Sequence, residues 1–150
     1  MKAQALAVIC TLVTLNSAVA ADVPDMKGVW VGKTQPIVAG KGGPHWPDSK
    51  GTFAKPALME RDMTIRITGQ DGRRFWGESV VGGEAGAPGT TEPFIGSVST
   101  NGQDVMMADT DGYFFGEVSG KTLSYCYVQA GAKKEGDPPA VATCLSVTKP

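Results

Sequence analysis

The stretch MTIRITGQDGRRFWGESVV, residues 63–81, decides the fold class. Met63, Ile65 and Ile67 alternate with Thr64, Arg66 and Thr68, the period of two that sets one face of a β-strand against a core and the other against water. Gly69-Gln70-Asp71-Gly72 follows as a turn, because Asp-Gly supplies the positive φ of a tight hairpin. Arg73 to Val81 then returns as the partner strand. The same grammar repeats outward from this hairpin. Pro93 to Val98, Asp104 to Ala108, Tyr113 to Val118, Thr122 to Val128 and Ala140 to Thr148 read as strands. Asn101-Gly102, Asp111-Gly112 and Ser119-Gly120 read as turns between them. Upstream, Gly28 to Gly32 opens the domain and Gln35 to Ala39 is a further strand.

About eight short strands joined mostly by hairpins predict an all-β antiparallel up-and-down meander closing into a small barrel. Closure removes the exposed edges that would otherwise template aggregation, and a β-sandwich is the second choice. Twenty glycines and ten prolines in 150 residues agree, since glycine costs a helix interior about 1 kcal/mol relative to alanine. Fourteen basic against fifteen acidic side chains give a net charge of −1. A nucleic-acid binder needs a basic excess, so that class of partner is excluded.

Residues 1–20 read as a secretory signal peptide: Lys2, an apolar run from Ala3 to Leu15, and Ala18-Val19-Ala20 as the cleavage site. The mature chain, 21–150, is then a single β-barrel domain, exported to a periplasm or the extracellular medium, with no stable membrane anchor after cleavage. Of three cysteines, Cys10 leaves with the signal, and Cys126 and Cys144 remain to form one disulfide. Pairing them across an antiparallel hairpin sets Leu123 against Val147, Tyr125 against Leu145 and Tyr127 against Thr143. The odd positions then form an apolar face and the disulfide lies on the more polar one.

The long segment Gly40 to Pro56 carries the lone histidine, His45, with Trp46 and Asp48. One histidine does not make a zinc site, and no nucleophile, base and orienting group stand together, so neither metal ligands nor catalytic residues are assigned and no cofactor is expected. Asp109-Thr110-Asp111-Gly112 lacks the further acidic positions of a calcium loop and reads as a turn. Arg61, Arg66, Arg73 and Arg74 read as surface charge beside Glu60, Asp62, Asp71 and Glu78. Met106 and Met107 are adjacent in a strand and point to opposite faces, so they share no copper ion. The aromatic residues offer more. Phe75, Phe94 and Phe114 each precede a glycine by two, a spacing that either leaves interior space beside the rings or permits tight packing. Both alternatives stay open.

Gly28-Val29-Trp30 resembles the G-x-W that opens the first strand of the calycin group, the lipocalins and avidins, and Thr110-Asp111-Gly112-Tyr113 is similar to the lipocalin T-D-Y segment with a Gly inserted. The resemblance implies a barrel and carries over no ligand. Val31 to Gln35 does not match the biotin-binding residues of avidins, and the last-strand Arg of lipocalins is absent, with Lys149 nearby. The leading expectation is a non-catalytic exported barrel binding a small, partly apolar ligand at its mouth. The residues expected there are Trp30, His45, Trp46, Phe75, Phe94, Tyr113 and Phe115, with the long loop as a cover. The alternatives are a periplasmic interaction or inhibitor module with a protein partner, using Gly82 to Thr90 and Lys133 to Asp137, and a barrel enzyme.

Overall fold

The computed structural model describes residues 22–41, 45–82, 89–131 and 139–150. The predicted signal peptide, and most of the two loops assigned to a protein partner, lie outside them. The described chain is all β. Eight strands close an antiparallel barrel: β1 (Gly28–Thr34), β5 (Arg61–Asp71), β6 (Arg74–Val81), β7 (Thr90–Val98), β8 (Asp104–Ala108), β9 (Gly112–Ser119), β10 (Thr122–Gln129) and β11 (Ala140–Thr148). Closure comes from β1 pairing with β11 at Val31↔Thr148 and Gly32↔Val147. The sandwich alternative is thereby set aside.

Three further strands lie in the segment between β1 and β5. β2 (Ile37–Lys41) continues from β1 and takes over the upper half of β11, while β3 (Lys50–Gly51) and β4 (Ala57–Leu58) pair with β2. The loop expected from Gly40 to Pro56 is thus partly stranded. Short pairings of two residues have no alternating pattern for a sequence to display, which is why they escape a periodicity argument.

Gly72, Gly102 and Gly120 turn their hairpins with φ of 56°, 75° and 56°, as Asp-Gly, Asn-Gly and Ser-Gly predict. Gly112 is not among the positive-φ glycines. It already belongs to β9, and its lack of a Cβ makes room for the Tyr127 ring on the neighbouring strand. These three tight turns all lie at one end, the floor. At the opposite end, the mouth, β6 leads to β7 and β10 leads to β11 through long connections.

Inward residues fill the barrel in layers. Trp30, Phe75, Val98, Val105, Leu123 and Val147 pack near the floor, and Phe94, Met107, Phe114 and Tyr125 above them. Phe75, Phe94, Phe114 and Tyr125 contact one another ring to ring with centroids 5.5–6.3 Å apart. This resolves the aromatic-glycine question. Gly96 stands directly across from Phe75, and Gly77 across from Phe94. A Cβ at Gly96 would collide with the Phe75 ring. Gly96 therefore gives its space to a ring, Gly77 and Gly116 give theirs to the backbone of the neighbouring strand, and the centre of the barrel is packed.

Candidate functional site at the barrel mouth

Polar side chains inside this barrel are not scattered. The buried polar or charged residues among those described are Thr34, Ser49, Arg61, Ser79, Glu92 and Gln129. Each stands at the mouth end of its strand or in the segment that folds over that end. Burying such groups costs free energy unless each is hydrogen-bonded, so their concentration at one pole is a local investment against stability.

The segment after β2 brings His45 and Trp46 to this pole. Trp46 is buried among the core residues, and Ser49 fixes the turn, its amide donating to the Trp46 carbonyl (3.0 Å) and its hydroxyl to the Gly40 carbonyl (3.1 Å). His45 Nε2 stands 3.0 Å from Glu92 Oε2, while its Nδ1 is buried with no hydrogen-bond partner. Glu92 faces inward on β7 and also accepts a hydrogen bond from the Thr110 hydroxyl. Arg61, at the start of β5, donates to the Glu60 carbonyl (2.9 Å) and has Asp48 at 3.7 Å. Expected as a surface charge, it is buried instead. Arg66 fits the surface expectation, pairing with Glu78 at 2.8 Å, as does Arg74, which pairs with Asp71.

The turn between β8 and β9 supplies the rest. The Asp109 carboxylate accepts from the Gly112 amide (2.6 Å) and the Asp111 amide (3.2 Å). Asp111 accepts from the Tyr127 hydroxyl (2.9 Å) and from the Gln129 amide (2.7 Å). Glu92, Asp109 and Asp111 each offer a carboxylate oxygen within 4.8 Å of the others, and they are the described residues that could hold a cation. Crowding and burial leave their mark. Burial, and then the neighbouring Glu92 charge, push the Asp109 carboxyl above its ordinary range. Burial, and then the Asp109 charge, push the Tyr127 phenol upward as well.

These groups surround a cavity of 30 Å3, lined by His45, Glu92, Asp109, Tyr127 and Gln129 together with Trp46, Met63, Val81 and Phe114. Of the aromatic residues expected at a ligand site, only Trp46 lines it. Trp30, Phe75 and Phe94 are buried in the packed interior, Trp30 and Phe75 near the floor. Tyr113 and Phe115 lie on the outer face, because β9 turns its even positions inward, and Gly112, Phe114 and Val118 take the interior. Glu92, Asp109, Tyr127 and Gln129 were not singled out from sequence as one group. The spacing within Asp109-Thr110-Asp111-Gly112 carries no sign of Glu92, which joins it from another strand.

At the floor, Trp30 donates from Nε1 to the Met26 carbonyl (3.0 Å), and Lys149 Nζ lies 4.8 Å from a Trp30 ring centroid. The closed eight-stranded antiparallel barrel is consistent with a calycin-like architecture. Comparison with family models, with curated proteins and with solved structures returned no match.

Proposed function

We propose that this protein is an exported, non-catalytic barrel whose mouth binds a small, partly apolar ligand with a hydrogen-bond-donating end group, such as a primary ammonium. The observation that carries this reading is the 30 Å3 cavity, whose wall combines Trp46, Met63, Val81 and Phe114 with Glu92 and Asp109. A space of that size accepts one water-sized group. Only the head of a ligand enters, then, and its body rests at the rim.

The chemistry favours a donor. Two carboxylates, Glu92 and Asp109, line the cavity with Asp111 close beside them, and even a protonated His45 leaves an excess of acceptors. A buried ring nitrogen without a partner, His45 Nδ1, is a position that water or a ligand atom ordinarily satisfies. An ammonium group supplies three donors and a positive charge in a place where water is scarce. The signal-like N-terminus and the disulfide support an oxidising, exported setting.

Isothermal titration of the mature protein with n-alkylamines, and with n-alcohols of equal chain length, tests the reading. Amines are expected to bind more tightly than the matching alcohols. The Glu92→Gln change is expected to weaken amine binding about tenfold, or 1.4 kcal/mol, and to leave alcohols unchanged. Equal binding of both series, or binding of neither, overturns it.

A further inference from the structure

The outer wall of the barrel is divided. On one side, β1, β5 and β6 carry Lys33, Asp62, Arg66 and Glu78, tied into exposed ion pairs. On the other, two neighbouring rows cross six strands, β6 to β11, without a charge between their ends. One row runs Trp76↔Ile95↔Ala108↔Tyr113↔Val128↔Ala142. The next runs from Arg74 through Ser97, Met106 and Phe115 to the Cys126–Cys144 disulfide. The large side chains in these rows stand out from the wall: Ile95 is 70% exposed, Met106 65% and Tyr113 64%, with Trp76 and Phe115 near half. A groove of 710 Å3 is lined by Trp76, Ile95, Met106 and Tyr113, with the paired Asp71 and Arg74 at one end.

We infer that this face is the contact surface of a symmetric dimer, its occupant being the same face of a second copy of the chain. The argument is independent of the mouth ligand. Two observations carry it. The first is area. With roughly 150–250 Å2 for a large side chain, the exposed fractions amount to about 600 Å2 of apolar surface, the upper end of what a typical monomer leaves in one patch. Two such faces bury about 1,200 Å2, the lower end of what specific, stable interfaces use. The second is charge. The two rows are neutral apart from Arg74 at the end, so the partner surface must also be neutral, and this chain supplies one. The rim holds Asp104 and Glu117 on the floor side, and Arg74 is matched by Asp71. An acidic rim disfavours the anionic surface of a membrane.

Sedimentation equilibrium of the mature, disulfide-intact protein from micromolar to millimolar concentration tests the inference. The wild type is expected to dimerise, and Ile95→Asp and Met106→Lys are each expected to weaken the dimer at least about tenfold while melting at the wild-type temperature. If Ile95→Asp disturbs the barrel, Ser97→Arg, at an exposed polar position in the second row, asks the same question. A wild type that stays monomeric at millimolar concentration overturns the inference. So does a dimer that survives all three changes. So does a monomer that co-sediments with phosphatidylcholine vesicles, which would assign the face to a lipid surface.

Discussion

The Lys149 ammonium lies over the ring of Trp30, 4.8 Å from a ring centroid, and donates to the Asp25 carbonyl at 2.9 Å. One residue past the last strand thereby clasps the first strand and the segment that precedes it. Cation-π contacts at exposed sites contribute about 0.5–1 kcal/mol. Lys149→Ala is expected to lower stability by about that amount, read as a fall in the urea midpoint with an unchanged slope. Lys149→Met keeps the stem and removes only the charge. If it is as stable as the wild type, the contact is packing alone.

Cys126 and Cys144 face each other in register on β10 and β11, eighteen residues apart in sequence. Cross-linking a loop of this length stabilises by about 3 kcal/mol, chiefly by restricting the unfolded chain. The Cys126→Ala, Cys144→Ala double variant is expected to lose roughly that much and keep its far-ultraviolet spectrum. Folding in strong reductant with no loss of midpoint would contradict the assignment.

Gly96 sits under the Phe75 ring. Overpacking a filled core costs about 1–3 kcal/mol. Gly96→Ala is expected to fall in that range, although alanine is the better residue for an unconstrained chain. Gly72→Asn, at a hairpin turn with open space around the missing Cβ, is expected to be nearly neutral. Thermal melts of the two variants separate a glycine kept for a ring from one kept for a turn.

Asp109 titrates above its ordinary value of 3.8. The folded protein therefore takes up this proton at a higher pH than the unfolded chain does. Stability from this group falls as pH rises through the interval between 3.8 and the raised value, and the penalty is fully present above that interval. Asp109→Asn keeps the oxygen that accepts from Gly112 and Asp111 and removes the charge. It is expected to melt higher than the wild type at pH 7, with the advantage shrinking as the pH approaches 4. A variant less stable at pH 7 would show that the carboxylate is needed as an anion.

Legibility of these features in the sequence follows their range. The hairpin from Met63 to Val81, with Gly72 at its turn, is written in adjacent residues, and so is the Ala140 to Thr148 strand. The β10–β11 register was legible as well, because two cysteines and an alternating apolar row had to agree, and they agree on the pairing seen. The mouth was half legible. His45 and Trp46 stand out as a histidine and an aromatic in a long loop. Glu92 does not, because an acidic residue between Thr91 and Pro93 looks like any solvated strand position. Its inward orientation comes from the parity of β7, fixed by Phe94 two residues later. Tyr113 and Phe115 mislead for the same reason: three aromatics in succession at 113–115 leave the parity unresolved until a neighbouring strand sets it.

The two poles of the barrel differ in how they connect the strands, and the difference bears on what mutation can do to this chain. At the floor, turns of fixed length built on Gly72, Gly102 and Gly120 set which residue faces which, so an insertion there would shift an entire strand. At the mouth, the connections from β6 to β7 and from β10 to β11 leave that pairing untouched when they lengthen or change composition. Mouth segments can therefore be rewritten in length and composition while the hairpins beneath preserve the scaffold on which each new variant is tried.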